Sequence, residues 1–207
     1  MRHISKAAAV AAAACAAVVG FGTTQASATG TWTVSGGGSF TAKATSPTLK
    51  DTSTTATLSC TSSSAAGSAP NGTGLSGTGI ATITSVSWAS CTGPLGISFT
   101  VTAKNLPWTI NATSYNATTG TTTGTLTGVE ASISGTLCSA NFAGTSSTTP
   151  ATLTGTYVNS THTLTISAGN LHAYGVSGCL GLINNNDTAV YSAAYVLTPS
   201  TLKITSP

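Results

Sequence analysis

The sequence predicts an all-β protein, a single β-sandwich or partly closed barrel of mainly antiparallel strands, with two disulfides and a cleaved signal peptide. Three observations lead to this prediction. Apolar and polar residues alternate through most of the chain, which is the period of half-buried strands. Glycine and asparagine clusters interrupt the alternation at short intervals. An N-terminal export pattern precedes four further cysteines.

The first residues have the pattern of a secretory signal. Residues 1–6 are basic, and residues 7–21 are rich in alanine and valine and carry no charge. Small residues follow at 26–28, so we predict cleavage after Ala28, a signal peptide over 1–28 and one secreted β domain over 29–207. A transmembrane anchor is the alternative, but a spanning helix needs about 20 apolar residues and this run is shorter. We therefore expect no transmembrane segment in the mature chain.

The mature chain keeps an even number of cysteines, which in an exported protein indicates two disulfides. Among the three possible connectivities we favour Cys60–Cys91 with Cys138–Cys179, because each pair closes a loop of moderate length. A zinc site is the alternative, but no Cys-x-x-Cys spacing or nearby histidine supports it. We expect no metal ion and no cofactor.

Strand patterns recur from end to end. The clearest is residues 97–103, where Ile97, Phe99 and Val101 share one face and hydroxyl residues share the other. Residues 167–170 predict a hairpin turn between strands at 161–166 and 171–176. The low-complexity stretches 61–79 and 144–150 predict surface loops. One domain is the preferred organisation, although two small β modules joined near residues 118–125 are an alternative.

The aromatic and polar motifs each allow two interpretations. Trp32, Trp88 and Trp108 could stack on sugar rings, but their alternation with aliphatic residues favours burial in the core. The run at 184–187 concentrates oxygen ligands for Ca²⁺, yet its single carboxylate favours a tight asparagine-rich turn. His162 and His172 are not expected to face each other as a metal pair.

The charge of the mature chain argues against nucleic acid as a partner. Four lysines stand against three acidic residues after residue 28, so the net charge is four minus three, or +1. No basic stripe is available to neutralise phosphates. The charged positions are Lys43, Lys50, Lys104, Lys203, Asp51, Glu130 and Asp187.

The inventory of catalytic groups is short. Glycoside hydrolysis usually needs two flanking carboxylates, and a serine hydrolase of the elbow type needs a Gly-x-Ser-x-Gly motif that the sequence lacks. We therefore assign no catalytic residue and no cofactor-binding residue, and an enzyme is the less favoured class.

Several motifs carry a family resemblance. They are Leu106-Pro107-Trp108, Gly135-Thr136-Leu137-Cys138, the run from Gly155 to Thr161, and Cys179-Leu180-Gly181-Leu182-Ile183. With these motifs the chain resembles a family of uncharacterised secreted proteins from Streptomyces and related actinobacteria. The resemblance implies an exported bacterial origin and no known activity.

From these observations we expect a non-enzymatic β domain that is extracellular or associated with the cell wall and has a binding or structural role. Its partner would be an unknown extracellular ligand, either cell-wall material or a small apolar molecule. A carrier for a small apolar ligand is the first alternative. A secreted hydrolase with a sparse active site is the second.

Overall fold

The computed structural model describes residues 31–207, and the predicted signal peptide with its cleavage site lies outside them. Strands dominate this part of the chain, and two short 3-10 turns lie at Pro94–Gly96 and Cys179–Gly181. The strands are β1 (Trp32–Ser35), β2 (Gly38–Thr45), β3 (Thr48–Asp51), β4 (Thr57–Ala69), β5 (Gly72–Leu75), β6 (Ala81–Thr92), β7 (Ser98–Lys104), β8 (Trp108–Asn116), β9 (Thr121–Gly135), β10 (Cys138–Ala143), β11 (Ala151–Val158), β12 (Thr163–Gly169), β13 (Leu171–Gly178), β14 (Thr188–Thr198) and β15 (Lys203–Thr205).

Twelve of these strands form a closed antiparallel barrel. Four of its wall strands are unbroken, namely β4, β6, β9 and β14. Four more are each made of two segments that pair with the same neighbours, namely β2 with β3, β7 with β8, β10 with β11, and β12 with β13. Each of these eight wall strands pairs with the next along the chain, and β14 closes the ring by pairing with both β2 and β3. The prediction of a mainly antiparallel all-β fold is therefore confirmed, and the barrel is closed completely where the sequence predicted a sandwich or a partly closed barrel.

The barrel has two chemically different ends. Both disulfides lie near one end, which we call the disulfide end. At the other end β1 pairs with β15 and with β5 to form a three-stranded sheet. This sheet buries Trp32, Val34 and Ile204 against the barrel, and we call it the cap.

Two local predictions are wrong. Residues 167–170 do not form a hairpin, because β12 and β13 follow one another along β14 instead of pairing with each other. Residues 61–69 are not a surface loop but most of β4, which pairs with β2 and β6 along its length. The predicted loop at 144–150 is confirmed as a turn between β10 and β11.

The disulfide pairing is confirmed. Cys60 and Cys91 occupy directly paired positions on β4 and β6. Cys138 begins β10 and is joined to Cys179, which follows the end of β13. Each bridge therefore ties two neighbouring wall strands close to the disulfide end.

No helix among the residues that the structure describes is long and apolar enough to cross a membrane.

Candidate functional site

The barrel encloses an apolar cavity of about 100 Å³. Its lining comes from wall strands all around the ring and from the cap. The contributing side chains are aliphatic or aromatic with few exceptions, and include Phe40, Trp108, Leu126, Ile133, Phe142, Ile166 and Leu197. A cavity of about 150 Å³ lined by similar residues binds benzene. By that comparison the barrel cavity has room for about four carbon atoms.

Small side chains leave this space open. Ala65 on β4 lines the cavity, opposite Ala42 on β2 and Val86 on β6. The next residue, Ala66, pairs with the exposed Thr41 and faces outward. The alternation of a strand therefore places two adjacent alanines on opposite faces of the wall.

A chain of hydrogen bonds lies along one side of the cavity. Trp88 donates its indole N–H to the Tyr191 hydroxyl across 3.0 Å. The Tyr191 and Tyr195 oxygens are 2.7 Å apart, and Tyr195 is 2.7 Å from the Ser63 hydroxyl. Ser63 donates to the backbone carbonyl of Ser87 across 2.9 Å. If every hydroxyl donates in the same direction, each donor in the chain has an acceptor.

Burial keeps these hydroxyls uncharged. It raises the pKa of Tyr195 far above its ordinary value, and the neighbouring Tyr191 adds to the shift. Burial also raises the pKa of Tyr191, although its hydrogen bonds with Tyr195, Trp88 and Ser63 oppose the shift. The interior is therefore neutral, and its hydroxyl hydrogens are already engaged. Such a lining favours a ligand without polar groups.

The cap closes the cavity through hydrogen bonds to its C-terminal strand. Tyr157 on β11 donates to the carbonyl of Leu202 across 2.8 Å, and burial raises the pKa of this tyrosine to about 12. Asn159 accepts the N–H of Ile204 at 2.9 Å and donates to its carbonyl at 2.8 Å. Leu202 and Ile204 themselves line the cavity. A ligand that enters at this end must therefore displace β15.

The core interpretation of the tryptophans is confirmed. Trp32 and Trp108 are each 4% exposed. Trp108 lines the cavity and donates its indole N–H to the Lys104 carbonyl at 2.8 Å. Trp88 is half-buried and also lines the cavity. Two of the three tryptophans are therefore positioned to report on cavity contents.

The structure does not bring the acidic residues and histidines named from the sequence together at the cavity. His162 lies at the cap end, within 3.3 Å of the Tyr157 hydroxyl. His172 pairs with Thr188 near the disulfide end. Glu130 is paired across strands with Lys104. Asp187 is the last residue of the connection before β14, at the disulfide end, so it lies at the opposite end of the barrel from His162.

The asparagine-rich segment is a turn, as expected. The backbone N–H and the side-chain amide of Asn184 donate to one oxygen of Asp187, at 2.7 and 3.0 Å. Burial opposes ionisation of Asp187, but these hydrogen bonds and contacts with the side chains of Asp51 and Ser53 outweigh it and lower the pKa of Asp187. No cluster of three or more His, Cys, Asp or Glu side chains gathers within residues 31–207.

The tyrosine chain and the proximity of Asp51 to Asp187 were not predicted from the sequence. The even spacing of Tyr191 and Tyr195 on one strand places both on the same face, which is a usable signal. Their partner Ser63 lies in a stretch that was predicted to be a loop. Asp51 and Asp187 are separated by most of the chain, and no local pattern connects them.

Three leucines at the disulfide end remain exposed. Leu95, Leu137 and Leu180 are 83%, 61% and 66% exposed, and each lies in a connection between wall strands. Leu95 and Leu180 also have positive φ angles, of 61° and 50°. Leucine rarely adopts this backbone conformation.

Comparison with known protein families gives a match over most of the chain. The family described as alkane oxidation protein activator PraA/PraB-like matches residues 1–199. No curated protein and no solved structure matches the chain. The expectation that one family covers most of the chain is met, although the description names an activator of alkane oxidation. The actinobacterial range stays a prediction.

Proposed function

The chain belongs to the PraA/PraB-like family of alkane oxidation protein activators, and from that premise we propose that its barrel binds a short alkyl chain. The family description names an activator of an oxidation, not an oxidising enzyme. We infer that the protein holds a hydrocarbon without reacting with it. This proposal places the small-ligand carrier ahead of a purely structural role.

The apolar cavity is the observation that carries the proposal. Its lining is aliphatic and aromatic, and the tyrosines that reach it use their hydroxyls within the wall. A saturated hydrocarbon offers no hydrogen bond, so it loses none on entering such a space. The cavity accommodates about four carbons, which matches a short alkane or one end of a longer chain.

The hydrolase alternative has less support from the geometry. A triad or a carboxylate pair has to meet within hydrogen-bond reach of one substrate bond. His162 and Asp187 lie at opposite ends of the barrel, and Glu130 is opposite Lys104. We propose no catalytic residue.

We also propose that the mature protein is one domain over residues 29–207 and acts outside the cytoplasm, either free or associated with the cell wall. The N-terminal pattern supports export. Disulfides form and persist mainly in oxidising compartments, which supports the same location. Fractionation of the producing cells and N-terminal sequencing test this proposal, with Thr29 as the expected first residue.

Tryptophan fluorescence tests the ligand proposal directly, because Trp88 and Trp108 line the cavity. We would titrate the protein with 1-bromobutane, whose bromine quenches tryptophan on contact. We expect saturable quenching, and weaker quenching by the charged analogue 4-bromobutanoate, because the cavity has no partner for a carboxylate.

Two adjacent alanines provide the matched variants. Ala65→Leu adds a side chain to the cavity and is expected to weaken 1-bromobutane binding by about tenfold, or about 1.4 kcal/mol. Ala66→Leu adds the same side chain to the outer face and is expected to bind as the wild type does. Equal, unsaturable quenching in all three proteins would contradict the proposal.

A further inference from the structure

Two acidic residues from distant parts of the sequence meet at the disulfide end. Asp51 ends β3 and pairs in register with Ala189 on β14. The N–H of Thr52 donates to the carbonyl of Thr188 across 2.8 Å. Asp187 immediately precedes Thr188, so the ladder between β3 and β14 brings the two aspartates to neighbouring positions.

A second contact holds the loops that carry these residues. The side chain of Thr54 donates to the carbonyl of Leu182 across 2.6 Å. Thr54 belongs to the connection after β3, and Leu182 belongs to the connection before β14. The two loops are therefore held together independently of the carboxylates.

Only one of the two carboxylate oxygens of Asp51 accepts hydrogen bonds. One of its oxygens, Oδ1, accepts the N–H groups of Ser53 and Thr54 at 2.8 and 2.9 Å. The other oxygen, Oδ2, is buried and has no hydrogen-bond partner in the part of the chain that the structure describes. The residue as a whole is 4% exposed. Buried carboxylate oxygens are normally paired, so this one points to a missing partner.

The side chain of Asp187 lies close enough to that of Asp51 for Asp51 to lower the pKa of Asp187. Ionised carboxylates only accept hydrogen bonds, and two of them in contact repel each other. Such a pair is stable when a proton or a cation lies between the oxygens. The hydrogen bonds of Asp187 come from Asn184, and the nearby side chain of Ser53, which also lowers its pKa, is uncharged too.

We propose that Asp51 and Asp187 bind a calcium ion that joins the loop after β3 to the loop before β14. Oδ2 of Asp51 and the carboxylate of Asp187 supply the two charged ligands, and the hydroxyl of Ser53 lies beside Asp187. Water completes the six to eight oxygens that Ca²⁺ takes. Magnesium demands near-ideal octahedral geometry, which irregular loops seldom provide, so calcium is the better match.

The expected affinity is low. Two carboxylates with water ligands correspond to the weak sites of extracellular modules, with dissociation constants of about 10⁻⁴–10⁻³ M. The site lies in the loops of the disulfide end, and it does not depend on the proposed hydrocarbon cavity.

Thermal unfolding of the disulfide-intact protein tests the site. After dialysis against EDTA, about 10 mM CaCl₂ is expected to raise the unfolding midpoint of the wild type by about 2–5 °C, and MgCl₂ to raise it less. Asp51→Asn and Asp187→Asn remove a charged ligand each and are expected to lose the calcium response. Glu130→Gln makes the same charge change outside the site and is expected to keep the calcium response.

The same variants distinguish a ligand site from a structural contact. In EDTA, Asp51→Asn is expected to unfold no earlier than the wild type, because its new amide group can donate to Asp187. Terbium luminescence gives a readout that does not depend on stability. The wild type and Glu130→Gln are expected to bind Tb³⁺ and to release it to Ca²⁺, whereas Asp51→Asn is expected to bind it at least about tenfold more weakly.

Two results would contradict the proposed calcium site. One is a calcium response that is absent from the wild type or equal in all four proteins. The other is a midpoint in EDTA that rises as the pH falls below about 5, with no calcium response, since a shared proton then holds the pair together.

Discussion

The hydroxyl oxygens of Tyr191 and Tyr195 lie 2.7 Å apart inside the barrel. Both residues are on β14 with even spacing, so they point to the same face of the wall. The contact completes a row of side-chain hydrogen bonds from Trp88 to Ser63, in which every donor has an acceptor. The wall can therefore contain polar side chains and still present an apolar lining to the cavity.

The tyrosine chain predicts a specific loss of stability. Tyr191→Phe removes the acceptor of the Trp88 N–H and the donor to Tyr195. We expect the free energy of unfolding to fall by about 1–3 kcal/mol, as when a buried donor loses its partner. Urea unfolding measures the change. Tyr115→Phe is the control, because the Tyr115 hydroxyl makes no hydrogen bond within residues 31–207, and it is expected to change little.

The buried tyrosines predict loss of stability in alkali. Burial raises the pKa of Tyr157 from 10.0 to about 12 and shifts Tyr191 and Tyr195 in the same direction. The folded state therefore favours the protonated hydroxyls. The stability they contribute is complete below about pH 10 and falls as the pH rises towards 12.

Unfolding midpoints measured across this range, with tyrosinate absorbance, test the alkaline effect. Tyr157→Phe is expected to show a shallower loss than the wild type because one of the shifted groups is absent. An identical pH profile in the two proteins would show that Tyr157 does not contribute.

Each disulfide is expected to contribute substantially to stability. The Cys60–Cys91 bridge spans 31 residues and the Cys138–Cys179 bridge spans 41. In the chain-entropy account, closing loops of this length stabilises a protein by about 3–4 kcal/mol. We expect each double Cys→Ala variant to lose about that amount in urea unfolding. A loss below about 1 kcal/mol would show that the reduced, unfolded chain already keeps the two cysteines close together.

The C-terminal strand of the cap depends on one asparagine. Asn159→Ala removes both hydrogen bonds to the backbone of Ile204. We expect faster amide hydrogen exchange at Ile204 and a loss of about 1–2 kcal/mol. Asn116→Ala removes a comparable pair of bonds, to the N–H groups of Thr118 and Thr119, within its own turn. That control is expected to leave exchange at Ile204 unchanged.

The exposed leucines of the disulfide end predict an unusual stabilising substitution. Leu95 is 83% exposed and has a φ of 61°. Asparagine tolerates this conformation better than leucine, so Leu95→Asn is expected to preserve stability or to raise it by up to about 1 kcal/mol. Leu137→Asn is the control, since Leu137 is 61% exposed and is not among the residues with positive φ. Stabilisation of equal size in both variants would assign the gain to polarity instead of backbone strain.

The sequence predicted the features that depend on local pattern. The alternation at Phe99 and Val101 identified β7, and the loop lengths favoured the disulfide pairing that the structure confirms. Residues 61–69 were misassigned because small residues without clear alternation look like a loop. They form part of β4 because β2 and β6 pair with it on both sides. Neither neighbour is visible in the local composition.

The sequence by itself determined the strand content, the low charge and the burial of the tryptophans, because these follow from short-range periodicity and composition. It favoured one disulfide pairing among three, which the structure confirms. Only the tertiary structure decided that β14 meets β2 and β3 to close the ring. The same closure encloses the cavity, joins Ser63 to Tyr195 and brings Asp51 beside Asp187. These contacts join residues more than 100 positions apart in the chain. They depend on how whole strands pair, because neighbouring residues in the sequence do not specify them.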